Sequence, residues 1–168
     1  MRTRAIGLSL LLAALAVLLQ TTLFAQVRVF EVAPDLVMLA VIATARRLDA
    51  EPAVLLGFTS GLAMDLLGSS PLGLRALVLT LIAYVTVRTR DRFDINVVAT
   101  GMAVLLLSLL GVVLIVVIGT LFGEASFQDP DVFRKILLIP VHNLLLSIGV
   151  LPLATLVARG RRRSESFL

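Results

Sequence analysis

The chain has 168 residues, enough for one domain. Apolar residues make up 59% and charged residues 15%, with mean hydropathy +1.05; these values exclude an ordinary soluble domain and point to a membrane. The absence of cysteine excludes a disulfide framework, a thiolate metal site and a cysteine nucleophile, and the net charge of +4 is carried by arginine, Lys135 being the single lysine.

The N-terminus reads Met-Arg-Thr-Arg and then a long apolar run. A cleaved signal would need small residues around its cut, but "TLFAQ" places Leu23 and Phe24 there and the run is too long. It reads as a retained first helix. Six apolar segments follow one another at about 5–24, 34–45, 52–67, 72–87, 95–122 and 136–157. A spanning helix needs about twenty residues for about 30 Å of hydrocarbon. The first and last segments fit, the fifth is long, and the second, third and fourth are short. Segment two gains length if it recruits "QVRVFEV", whose alternation equally suits an extended interfacial stretch. Short helices are tolerated where protein covers their ends or the bilayer thins. The expected fold is an all-α integral membrane protein, a compact bundle of about six transmembrane helices over 1–158. A short basic tail, 159–168, is expected to be disordered.

Arginine placement sets the orientation. With six spans and a cytoplasmic N-terminus, Arg2, Arg4, Arg46, Arg47, Arg88, Arg90, Arg92, Arg159, Arg161, Arg162 and Arg163 all fall inside, eleven of the fifteen basic residues. The longest outside loop, "GEASFQDPD", is acidic. This is the positive-inside pattern, with both termini cytoplasmic. The basic charge therefore reads as topology, not nucleic-acid binding. The terminal "RGRRR" reads first as a topology anchor and second as a contact for anionic membrane lipids.

"GFTSGLAMDLLGSSPLGLRAL", residues 57–77, is the densest stretch. Glu51-Pro52 opens a helix, and Gly57, Gly61, Asp65 and Gly68 then share one face. Gly57 and Gly61 allow close backbone approach by another helix. Gly68 suits a left-handed C-cap, Ser69 or Ser70 an N-cap, and Pro71 the next first turn. Residues 52–87 thus read as a tight helical hairpin bringing Asp65 near Arg75. Charges at that depth pair, snorkel or serve function. An ion pair or hydrogen-bonded pair locking the hairpin is the structural expectation; a ligand or partner contact is the functional one.

Asp35, after Pro34, suits the dipole of a helix's first turn. His142 and Asn143 follow Pro140 and are expected to satisfy the carbonyl the proline frees, with a proton-relay or substrate role as the alternative. Gly101, Ser108, Gly111 and Gly119 suit close helix packing. One histidine and no H-E-x-x-H or G-x-S-x-G leave little material for catalysis. Asp35 and Asp65 form no recognisable aspartyl dyad motif. No catalytic residue, metal ligand or cofactor site is expected.

The order of "LLQTTLF", "PDLVMLAVIA", a short arginine-bearing turn and then Gly-Phe-x-x-Gly-Leu-x-x-Asp followed by Pro-Leu-Gly resembles the MreD family of rod shape-determining membrane proteins. The specific part of the resemblance covers about residues 34–80. It implies a non-enzymatic component of the cell-elongation machinery that binds MreC and works with MreB, RodA and its partner transpeptidase. It also implies a fold similar to the S-components of energy-coupling-factor transporters. The matched positions are Pro34, Asp35, Gly57, Phe58, Gly61, Asp65, Pro71 and Gly73, to which Arg75 is added by its place in the hairpin. They are candidates for architecture or a partner-facing surface. The alternative function is a small-molecule-binding S-component-like subunit. Against it, the first helix lacks an alanine-x-x-x-alanine motif, holding only Ala5, Ser9 and Ala13 at that spacing, and the chain has no tryptophan and one tyrosine, Tyr84.

Overall fold

The computed structural model describes residues 2–22, 32–68, 70–93, 96–125 and 129–158. Six α-helices account for most of them: α1 (Arg2–Thr22), α2 (Leu36–Ala45), α3 (Ala50–Leu67), α4 (Leu74–Phe93), α5 (Val97–Leu121) and α6 (Val132–Ala158). Among the described residues the protein is all-α. Three helices, α3, α5 and α6 over Val132–Ala154, are long and apolar enough to cross a membrane; α1 and α2 contribute shorter apolar stretches, Ile6–Thr22 and Leu36–Ala45.

All ten residues of α2 are buried. The helix is an axis that touches every other helix, and the remaining five surround it in the cyclic order α1, α3, α4, α5, α6 and back to α1. Val37, Met38, Leu39, Val41 and Ile42 form the centre of the core, with Val78, Leu79 and Ile82 of α4 and Val104 of α5 against them. Gly111 of α5 faces Met38 so closely that a Cβ there would lie 2.6 Å from its sulfur. Buried hydroxyls inside helices bond back one turn: Thr44 to Ala40 (2.7 Å), Ser60 to Leu56 (2.7 Å) and Thr86 to Ile82 (2.7 Å).

The most intimate pair is the α3–α4 hairpin. A Cβ on Gly57 would sit 2.5 Å from the Leu79 carbonyl oxygen, and one on Gly61 2.4 Å from the Ala76 Cα. The glycine face is therefore consumed inside the bundle, the closer of its two expected uses. The turn differs from expectation. Gly68 has φ −101°, outside the left-handed region; the left-handed residue is Gly73, φ +95°. Ser69 lies outside the described residues. Ser70 does not cap α4; its hydroxyl reaches the Asp65 carboxylate at 3.3 Å.

Helix ends also shift from their sequence-based positions. Asp35 is the N-cap of α2 and not a first-turn residue: its carboxylate accepts from the Met38 amide at 2.9 Å. Of "QVRVFEV" only Val32 is described, and it is not helical. α4 runs through Arg88, Arg90 and Arg92, because cations in a last turn favour the helix dipole and do not end it. α6 starts earlier than expected, at Val132, where Asp129 and Asp131 precede it and Lys135 and Arg134 pair with them.

Replacing Gly61 by valine forces side-chain atoms into the α4 backbone and should cost at least about 2–3 kcal/mol, read as a lowered melting temperature in detergent. Gly7→Ala is the matched control: a Cβ there meets nothing, so its effect should stay within about 0.5 kcal/mol or be mildly stabilising. The hydrogen bond from Lys135, with that of the Asp131 amide, holds the Asp129 carboxyl below its ordinary 3.8. The folded value being depressed, the stabilisation is present above pH 3.8 and lost as pH falls through the lower folded value. A carboxyl NMR titration should place the Asp129 midpoint below 3.8, and Lys135→Ala should move it back toward 3.8.

Candidate functional site, a polar junction at the head of the central helix

An N-terminal helix end leaves amides without intrahelical partners. Where water is excluded, other protein groups must take them. At the head of α2 this need draws side chains from α1, α4 and α6, and through them links α5 and α3. Gln20 of α1 uses both ends of its amide: Nε2 donates to the Pro34 carbonyl at 2.9 Å, and Oε1 accepts from the Leu36 amide at 2.8 Å. Asn143 of α6 accepts from the Asp35 amide at 3.1 Å and donates through Nδ2 to Ser108 of α5, also at 3.1 Å. Asn143 and Ser108 are fully buried, and Asp35 is 7% exposed.

The Asp35 carboxylate divides its work. One oxygen caps α2; the other receives the Arg75 guanidinium at 3.3 Å. Arg75 keeps 29% of its side chain exposed, so the pair sits at the edge of the buried region. Its backbone belongs to a second cap. Asp65, near the end of α3, receives the amides of Gly73 (2.9 Å), Arg75 (3.1 Å) and Ala76 (3.1 Å). A carboxylate of one helix thus caps the next, with Gly73's left-handed conformation turning its amide inward.

The expected proximity of Asp65 and Arg75 is present as a main-chain hydrogen bond. The side-chain ion pair goes elsewhere: the guanidinium meets Asp35. Asp65 already has hydrogen bonds from three amides and the Ser70 hydroxyl, so its lone pairs are occupied. Asn143 does not serve the carbonyl freed by Pro140; it joins α2 to α5. His142 bonds within α6, Nδ1 to the Leu138 carbonyl at 2.8 Å, and since a carbonyl only accepts, Nδ1 carries the proton.

The other candidates separate by position. Pro34 is buried at the junction and Pro71 lies in the turn, its carbonyl accepting from Leu74 at 3.2 Å. Gly57 and Gly61 lie on the α4-facing side of α3, while Phe58 is 45% exposed on the outside. Gln20 was not singled out by sequence; its signal is a lone carboxamide late in an apolar helix. At the opposite end, Arg46 is buried beside Thr100 of α5 (3.0 Å) and Arg90 reaches the Leu48 carbonyl (2.8 Å). This end holds Arg46, Arg88, Arg90 and Arg92, and is the arginine-rich end.

Chemically the junction is saturated. Among the described residues no buried side-chain nitrogen or oxygen lacks a partner, and no three metal-ligating side chains converge. Both carboxylates are engaged by donors. The arrangement can hold six helices in register, with Arg75 its partly exposed member.

Asp35→Asn keeps a capping oxygen but strands the guanidinium, and should cost about 1–3 kcal/mol given the partial exposure of Arg75. Adding Arg75→Met should recover about half of that loss. Asp65→Asn should cost more, about 2–4 kcal/mol, because an amide NH2 must then face donors. Thermal unfolding of the three variants and the wild type in one detergent checks the order; a neutral Asp65→Asn would remove the capping role.

The helices and the junction lie within the reach of a protein-family model. The model of rod shape-determining protein MreD matches residues 1–154. Comparison with curated proteins and with solved structures returns no match. The family is one of membrane proteins, and the match spans α1 to most of α6, the junction included; the chain belongs to the MreD family of rod shape-determining proteins.

Proposed function

We propose that the chain is a non-enzymatic membrane component of the bacterial cell-elongation complex that binds MreC and helps organise peptidoglycan synthesis. The observation that carries this is the family match across residues 1–154. The site supports a binding role: its polar groups are spent on internal hydrogen bonds, while large apolar side chains such as Leu11, Leu15, Leu137, Leu145 and Ile148 remain on the surface. Such faces suit lipid and partner helices, which associate in a bilayer by packing and not by expulsion of water.

In this reading the helices form one transmembrane unit in the inner membrane, the arginine-rich end facing the cytoplasm with both termini. MreB, RodA and its transpeptidase are the further partners, membrane lipids fill the remaining surface, and the fold is of the S-component kind. Pro34, Asp35, Asp65, Pro71, Gly73 and Arg75 shape the bundle, whereas Phe58 is free for contact. The tagged chain, extracted from native membranes in mild detergent, should bring down MreC and elongation synthases, identified by mass spectrometry. Recovery of a coupling ATPase pair instead would favour a transporter subunit and sink the rod-complex reading.

A further inference from the structure

α4 buries Ala76, Leu79, Ile82 and Ala83 against its neighbours and turns its opposite face outward. Along that face lie Leu77, Leu81, Tyr84, Arg88 and Arg92, each three or four residues from the last, and all are exposed. The face changes character along its length: two leucines, then an aromatic ring, then two cations. From Leu77 to Arg88 it rises roughly 16 Å, about half the hydrocarbon thickness of a bilayer. That is the depth of one leaflet, with the cations at its headgroup edge.

Tyr84 orients Arg88. The guanidinium stands 5.2 Å over the ring, and its Nε donates to the Tyr84 hydroxyl at 3.1 Å. This leaves both terminal nitrogens for another acceptor, and the hydroxyl keeps its own proton to donate. Arg90 is spent elsewhere: it donates to the Leu48 carbonyl at 2.8 Å and stands 3.8 Å from Asp91. Arg88 and Arg92 are therefore the surplus charge of α4. The surroundings are basic as well, since the stretches 46–51 and 88–92 carry five arginines against Asp49, Glu51 and Asp91. The cations select an anion, and a phosphate fits the guanidinium fork. The apolar run beside them selects an anion that carries acyl chains. A partner's transmembrane helix fits poorly, because such helices carry Lys or Arg at their cytoplasmic flank and would meet like charge. The cytoplasmic leaflet supplies anionic lipids.

We propose that the outward face of α4 seats an anionic phospholipid of the cytoplasmic leaflet, its phosphate on Arg88 and Arg92 and an acyl chain along Tyr84, Leu81 and Leu77. The proposal rests on the reading of the chain as a membrane component with its arginine-rich end cytoplasmic, and adds which lipid class it selects and where.

Tyr84 is the single tyrosine and tryptophan is absent, so the protein's own emission reports from the seat. The full chain is reconstituted in phosphatidylcholine vesicles holding a small share of brominated phosphatidylglycerol or of brominated phosphatidylcholine, and quenching is measured against unbrominated lipid. Phosphatidylglycerol should quench at the lower share. Arg88→Gln and Arg92→Gln should each cut its relative affinity about fivefold, the scale of one cation at an anionic surface. Arg47→Gln, which removes another exposed arginine of the same end, should change it less than about twofold. Equal quenching by the two lipids, or an equal loss in Arg47→Gln, would reduce the seat to diffuse surface charge and overturn it. Inorganic phosphate should leave the lipid in place; release by phosphate alone would make this a free-anion site and overturn the lipid. In native membranes a photo-crosslinking phenylalanine analogue at position 81 should couple to lipid, and coupling to a protein would overturn the proposal. If the lipid preference is absent while MreC and elongation synthases co-purify with the chain, the seat fails and the function stands. If the preference is present while no rod-complex protein is retrieved, the function fails and the seat stands.

Discussion

A helix of ten residues rises about 15 Å, half the hydrocarbon thickness of about 30 Å. α2 is that helix, and it is wholly buried. Its head therefore lies where lipid cannot serve its amides, and the protein must. Gln20, Asp35 and Asn143 answer that requirement directly, and Arg75, Ser108 and, through its cap on α4, Asp65 are tied to them. Interhelical hydrogen bonds in membranes average only about 0.6 kcal/mol, so the junction's main product is direction, not bulk stability. Apolar packing in lipid permits many rotations of a helix; a hydrogen bond to a fixed amide permits few. Gln20, Arg75 and Asn143 thereby fix how α1, α4 and α6 are turned toward the axis, while Asp65 fixes α3 on α4.

Two kinds of joint hold the ring. The α3–α4 joint is made by backbone approach at Gly57 and Gly61 and closed by the Asp65 cap. It is stiff, since neither glycine contact can give without moving a main chain. α1 meets the ring through sparser contacts on both sides, to α3 and α6, and is pinned at its far end by Gln20. An apolar groove between α1 and α3, lined by Ile6, Leu10 and Leu55, lies at the end away from that pin. Rigidity and accessibility are thus separated within one small bundle.

Local sequence was sufficient for the hairpin. Two glycines one turn apart, an aspartate, a proline and a glycine over seventeen residues, 57 to 73, define a close helical pair, although the cap falls to Asp65 and the left-handed turn to Gly73, not to the serines and Gly68. It was not sufficient for the ion pair. Asp35 and Arg75 are 40 positions apart, and nothing in either neighbourhood says that α2 is short enough to bring its head to the start of α4. Asp65 looked the better partner because proximity along the chain favoured it, yet the amides of α4 had the prior claim. Asn143 shows the same limit. Its proline neighbour suggested a local duty, whereas its partners sit 108 and 35 positions away. Helix ends were displaced where charge decides: arginines extend α4, and an aspartate moves from first turn to cap in α2.

The span of 108 positions between Asp35 and Asn143 also bears on how the protein is made. At a synthesis rate of about 5–20 residues per second, α2 enters the membrane roughly 5–20 s before α6 exists. During that interval the Asp35 amide has no Asn143 to meet, and the Ser108 hydroxyl, made 35 positions before Asn143, waits for the last third of it. Until then the ring lacks the helix that closes it between α5 and α1. Closure comes only when the last helix arrives, so a chain stopped before α6 leaves the head of α2 without its Asn143 acceptor.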